Sequence, residues 1–315
     1  MLLFVRLLGF CAVAAAIVIG WLSPPVALAC GLFFGLGPGN PAPRVTAKSR
    51  LLLQTSVVGL GFGMNLAVLL AAGSVGLNLT AMSIAAIMIT GWYLGTLLRI
   101  DSDTSLLISA GTSICGGSAI VAIGGLLRAD ARAMSVALAI VFSLNAIALF
   151  IFPPLGHSIG LSENAFGLWA AIAIHDTSSV VGAAARYGEH ALAVATTVKL
   201  VRTLWIVPLA LVLALLKRRN AAVVGFPWFI LFFILAAGAR SLWPEHEAVY
   251  QVIKRAAVTG LTLSLFLIGA GVSRESLKIA GIRPLMLGVI LWFGAAVLGL
   301  LAASFFESHL GIIAG

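Results

Sequence analysis

Charge is what this sequence has least of. Only 9% of its 315 residues are Asp, Glu, Lys or Arg, while 61% are hydrophobic and the mean hydropathy is +1.14. A soluble domain carries roughly 25% charged residues, so this chain lacks the polar groups to cover a water-facing surface. Cysteine is scarce too. Cys11, Cys30 and Cys115 all lie in apolar runs, at no metal or disulfide spacing. No zinc, Walker or nucleophile-elbow pattern is present, so neither enzymatic activity nor a metal or cofactor is expected. Basic residues outnumber acidic ones, 19 to 10. They sit in joints between apolar runs rather than on one face, which argues against nucleic acid and for membrane topology.

Long apolar runs fill the chain instead. A helix needs roughly 20 residues to cross a hydrocarbon core. Hydropathy and breakers give about eleven spans, near 5–22, 25–37, 51–72, 80–98, 104–127, 133–152, 164–185, 190–216, 225–241, 250–272 and 285–306. The reading is an all-α polytopic membrane protein in the lipid bilayer, with one transmembrane domain over 1–315. Leu28-Ala29-Cys30 resembles a signal-peptide ending, but Ala27 stands where a lipoprotein signal has a larger aliphatic residue. Residues 5–22 are read as a retained span. With the N-terminus inside, eleven of the nineteen Lys and Arg collect on the cytoplasmic side, which puts the C-terminus outside. A hairpin at 104–127 would move Lys217-Arg218-Arg219 across the membrane, so a true crossing is preferred there. Gly61-Phe62-Gly63-Met64-Asn65 is echoed by Gly269-Ala270-Gly271-Val272-Ser273, a weak sign of an inverted repeat.

Three constellations stand out from this background. In the fifth span, Ser109-Ala110-Gly111-Thr112-Ser113-Ile114-Cys115-Gly116-Gly117-Ser118 concentrates glycines and hydroxyls that weaken a helix in mid-membrane. A break there would aim the N–H groups of a half-helix at a ligand; the alternative is a small-residue packing seam. In the seventh span stand His175 and Asp176, followed by Thr177-Ser178-Ser179. Ionisable residues at that depth face a partner or a wet cavity, and these two can carry protons. A packing contact is the alternative. In the eighth span, Lys199 and Arg202 share a helix face and suit an oxyanion. Snorkelling to the interface, or pairing with Asp176, stays open. The lone amides Asn65 and Asn145 read as helix glue.

"GTSICGGSAIVA" (111–122), "AIHDTSSVVGAA" (173–184) and "TVKLVRTLWIVP" (197–208), in that order, resemble the YeiH-type family of bacterial inner-membrane proteins, regarded as sulfate exporters. The resemblance extends to "LGPGN" (36–40), "GLGFGMNL" (59–66) and the "GFPWFILFF" and "LFLIGAGVSRESLKIAGIRPLMLG" segments. It implies kinship with cation/proton antiporters and bile-acid-type anion transporters, inverted repeats, panel and core subdomains, and discontinuous helices crossing near the midplane. It further implies secondary transport of sulfate or a related oxyanion. Thr112, Ser113, Cys115, Gly116, Gly117, Ser118, Lys199 and Arg202 would bind the substrate, and His175 and Asp176 would carry coupling ions. One departure is Gly63, where the family pattern has a basic residue after Gly61-Phe62.

The expected function is export of a small inorganic oxyanion, sulfate or sulfite-like, coupled to protons. A Na⁺/H⁺ antiporter centred on Asp176, and a non-transporting scaffold or sensor, are the alternatives. A homodimer is left open. Lys199→Gln and Arg202→Gln are expected to lose transport with folding intact.

Overall fold

The computed structural model describes every residue except 1, 38–39, 47, 65, 217–227, 272–280 and 311–315. Asn65, Lys217-Arg218-Arg219, Arg274, Lys278, Gly39 and part of the glycine echo therefore lie outside the described residues. The described residues are helical, with no strand among them, as an apolar chain in a bilayer requires. They fall into two compact units, Met1–Leu70 with Trp228–Glu275, and Ala71–Pro227 with Ser276–Gly315.

The first unit contains α1 (Leu2–Ile19), α2 (Pro24–Leu36), α3 (Pro43–Thr46), α4 (Ser49–Gly61) and the start of α5 (Leu66–Leu97). After the second unit's chain it resumes with α13 (Trp228–Leu242), a 3-10 turn at Pro244–His246, and α14 (Glu247–Gly271). Proline opens α2 at its first position, where the missing N–H has no partner to lose. α14 is the hub, and its neighbours approach through glycines. A Cβ on Gly31 would stand 2.1 Å from the Phe266 carbonyl, and one on Gly59 2.8 Å from Ala257 Cβ. Phe10, Phe34 and Phe266 fill the space beside that seam. Where α4 ends, Arg240 donates to the Gly63 carbonyl (2.9 Å) while paired with Glu247 (3.1 Å).

The second unit carries the rest of α5, then α6 (Ser102–Ser113), α7 (Gly117–Leu127), α8 (Ala131–Ser158), α9 (Glu163–Ala173), α10 (Thr177–Tyr187), α11 (Glu189–Leu204), α12 (Ile206–Leu216) and, after the first unit, α15. That last helix spans Ile282–Leu310. Two boundaries differ from the hydropathy reading. α5 runs unbroken through Gly73 and Gly76, so the joint between 72 and 80 is absent and the break falls at 62–65 instead. Gly61-Phe62-Gly63-Met64 lets the chain turn, whereas isolated glycines are tolerated within an apolar helix. The eighth span bends at Trp205, because Pro208 cannot donate to the carbonyl of Leu204.

The larger correction concerns direction. The discontinuous spans 104–127 and 164–185 are both hairpins, not crossings. Gly111 of α6 lies against the Ile120 side chain of α7. Asp101 and Thr104 share a cavity of about 330 Å³ with Asp130 and Arg132, so the chain leaves this hairpin at the end where it entered. In the second hairpin, Phe166 of α9 and Tyr187 of α10 stack with centroids 3.7 Å apart. Tyr187 also donates to the Leu161 carbonyl at 2.6 Å. Each arm has 11 or 12 residues, about 17 Å of helix, which is half a hydrocarbon core.

The hairpins open at opposite ends of the unit. Pro284, at the start of α15, lines the cavity at the mouth of the first. Glu307, near the other end of α15, accepts from the Ser162 N–H at the mouth of the second. Each hairpin is followed by a long helix parallel to its first arm. α8 meets α6 where Val141 touches Gly111, and α11 meets α9 where Ala191 and Ala195 flank Gly167. Within this unit α6–α7–α8 and α9–α10–α11 therefore form an inverted pair.

Candidate functional site

Each hairpin tip is three residues: Ile114-Cys115-Gly116 in the first and Ile174-His175-Asp176 in the second. A Cβ on Gly116 would lie 3.4 Å from Asp176 Cα, so the tips touch. This meeting point holds four helix ends, whose terminal carbonyls and N–H groups have lost their helical partners. Buried far from water, each orphaned group costs about 1–3 kcal/mol unless it finds a partner.

Lys199 and Arg202 partner the carbonyl ends. Lys199 Nζ donates to the carbonyls of Ile174 (2.8 Å) and Ala171 (3.3 Å), closing α9. Arg202 spans both hairpins. Its Nε donates to the Ser113 carbonyl and Nη2 to that of Thr112 (3.5 Å), closing α6, while Nη1 reaches Ile172 of α9 (3.0 Å). Cations at helix C-termini also offset the partial negative charge there. Both side chains have 0% exposure, so neither snorkels. Their donors go to the backbone, so loss of either is expected to loosen the tips.

Asp176 closes an amide end. Its Oδ2 accepts from the N–H groups of Ser178 (3.1 Å) and Ser179 (3.3 Å) and from the Ser178 hydroxyl, capping α10. No ion pair joins Asp176 to Lys199 among the described residues. The fourth end has no such cap. α7 begins at Gly116, at φ 64° and ψ −124°, with no side chain accepting from its first turn. Gly117 lies under the Phe142 ring, where a Cβ would stand 2.7 Å from Cζ. Ser118 is half-buried in the same turn. Cys115 is buried between this turn and α6.

Around the tips, five buried side-chain atoms have no hydrogen-bond partner: Thr112 Oγ1, Asn145 Nδ2, Thr196 Oγ1 and both ring nitrogens of His175. Asn145 had been read as helix glue, and half of that stands. Its Oδ1 accepts from the His175 N–H at 2.9 Å. Arg202 of α11 reaches the first tip and Asn145 of α8 reaches the second, so each long helix of the inverted pair serves the other's hairpin. Thr196, one turn before Lys199, and the carbonyls of Ala171 and Ile172 were not anticipated. The second break did carry a signal, an Asp N-cap followed by Thr-Ser-Ser inside an apolar run.

Comparison with known proteins fits this architecture. The family model described as conserved hypothetical protein 698 matches residues 5–288. The UPF0324 membrane protein of Bacteroides thetaiotaomicron is 51% identical over 278 residues, covering 86% of this chain and 83% of its own. That of Photobacterium profundum is 48% identical over 279 residues, covering 88% and 85%. That of Geobacter sulfurreducens is 44% identical over 300 residues, covering 95% and 94%. No solved structure matches the chain. The chain thus belongs to the UPF0324, or YeiH-type, family of membrane proteins.

Proposed function

We propose that this protein is a secondary active transporter that exports a small inorganic oxyanion, of the sulfate or sulfite kind, with proton coupling and no enzymatic step. The observation that carries the reading is an imbalance of fixed charge where the hairpin tips meet. Two fully buried cations, Lys199 and Arg202, face one carboxylate, Asp176, and the amide end of α7 adds uncapped partial positive charge. An anion seated by Thr112, Ser118 and the Gly116-Gly117 backbone would restore the balance. Two hairpins reaching that point from opposite ends suit alternating access. His175, with both ring nitrogens free of protein partners, is the group assigned the coupling proton.

Arg99, Arg128, Arg132 and Arg283 lie at or beside the mouth of the first hairpin. The other end carries Arg186 with Glu163, Glu189 and Glu307. The first end is therefore assigned to the cytoplasm of a bacterial inner membrane, with the C-terminus periplasmic. Two hairpins restore the parity that one alone would break, so the basic joints still agree with an inside N-terminus.

The test is sulfate and sulfite counterflow in proteoliposomes, with and without a pH gradient. Saturable flux that responds to the gradient is expected. Absence of flux for both anions, with sodium-dependent proton movement in the same vesicles, would overturn the reading in favour of a cation antiporter. That alternative requires Asp176 to leave the cap it now forms.

A further inference from the structure

We infer that Asn145 is a ligand-binding residue, one of a set of neutral donors that touch the oxyanion beside the charge of Lys199 and Arg202. The inference rests on the oxyanion reading of the site and names the groups that make contact. Asn145 has 1% exposure, and its orientation is fixed chemically. The atom that accepts the His175 N–H must be the carbonyl oxygen, so Nδ2 carries two N–H donors with no protein partner. His175 follows Ile174, whose carbonyl takes Lys199, and precedes Asp176 at the tip contact. Thr112 ends the first hairpin's inner arm, its carbonyl taken by Arg202 and its hydroxyl unpartnered. Thr196 is one turn from Lys199. Apart from Thr196, the unpartnered atoms belong to residues within a turn of the tips or bonded to them.

Their chemistry selects the ligand. Asn145 Nδ2 only donates, the hydroxyls and a neutral imidazole can donate, and the neighbouring carbonyls are already occupied by Lys199 and Arg202. A bare cation would meet Asn145 Nδ2, which has no lone pair to offer it. An oxyanion, which presents acceptor lone pairs on every oxygen, would satisfy the set. Lys199 has two of its three N–H donors, and Arg202 three of its five, committed to the helix ends. They supply charge, and the neutral groups supply contact.

Asn145→Asp separates this role from a structural one. A carboxylate keeps an acceptor for the His175 N–H but removes both donors and adds negative charge. Sulfate and sulfite uptake would be measured in proteoliposomes over a concentration series, with thermal melting of each purified variant as the folding control. The half-saturation concentration is expected to rise about tenfold or more for Asn145→Asp, equivalent to one lost donor contact, with melting near wild type. Thr112→Val is the second variant. It replaces an unpartnered hydroxyl by a methyl of similar shape, so a packing role predicts no loss of stability or affinity, whereas a contact role predicts a weaker affinity. Saturating wild-type flux with unchanged half-saturation in Asn145→Asp would overturn the inference and leave the transporter reading standing. Should Asn145→Asp not fold, unchanged half-saturation in Thr112→Val overturns it instead. Wild-type protein that moves neither anion would remove the transporter reading, and this inference with it.

Discussion

The two hairpins are built to one plan and finished differently. Both have short arms, a three-residue tip that begins with isoleucine, and a carbonyl end held by a cation from α11. The second hairpin caps its own amide end with Asp176, and at its mouth Phe166, Tyr187 and His157 form a stack. The first has glycine where the second has aspartate, and its amide end is left open. A helix end buried without a cap is unfavourable for folding. Its presence opposite a capped twin locates the place where a ligand would complete the structure.

The first unit offers a further contrast. Arg240 also holds the carbonyl at a helix break, but Glu247 neutralises it. Lys199 and Arg202 have no such carboxylate among the described residues. The same device, a cation on a broken helix, is charge-balanced in one unit and left positive in the other.

Breaking what the hairpins share should have the largest effect. Arg202→Met would strip the donors from Thr112, Ser113 and Ile172 carbonyls at once. A loss of about 3 kcal/mol or more is expected, from several buried carbonyls left unpaired, read as a large fall in melting temperature or failure to purify folded protein. Retention of wild-type melting would mean that the tips do not depend on this bridge.

A smaller effect is expected from imposing a side chain on the open tip. Gly116→Ala puts a Cβ on a residue at φ 64° and ψ −124°, a region L-residues avoid, and against Asp176. The expected loss is about 1–3 kcal/mol, and anion transport should fall more than stability does. Equal loss in transport and stability would make the glycine a folding requirement only.

The mildest variant would make the first hairpin resemble the second. Ser118→Asp places a carboxylate in the first turn of α7, where it should stabilise by roughly 0.3–1 kcal/mol through the helix dipole. If it stands in for the proposed anion, the thermal stabilisation by added sulfate that is expected of wild type should disappear in this variant. A sulfate response as large as that of wild type would argue that the anion binds elsewhere.

Much of this was legible in one dimension. Apolar length and sparse charge determined a polytopic helical membrane protein, because a bilayer admits few other solutions for such a chain. The glycines and hydroxyls at 111–118 marked a broken helix, since they weaken helical propensity and offer local alternatives to helical hydrogen bonds. The polar run at 175–179 was noticed as chemistry before it was understood as a second break. Spacing put Lys199 and Arg202 on one face and left snorkelling open; their burial excludes that, and the hydrogen bonds they make go to backbone carbonyls.

Hydropathy by itself determined where the chain is apolar, and it had no means to decide which way an apolar segment runs. A crossing and a hairpin of the same composition have the same hydropathy, and only the packing of Ile120 on Gly111, or of Tyr187 on Phe166, separates them. Spacing likewise placed Lys199 and Arg202 on one face but could not name the groups before that face. Those groups are backbone carbonyls 25 to 90 residues away in sequence, exposed only because two helices end there. A carbonyl has no letter of its own in a sequence. Its availability, and with it the neutral contact assigned to Asn145, was decided by tertiary structure, because only there do broken helix ends and a distant side chain come within a hydrogen bond of one another.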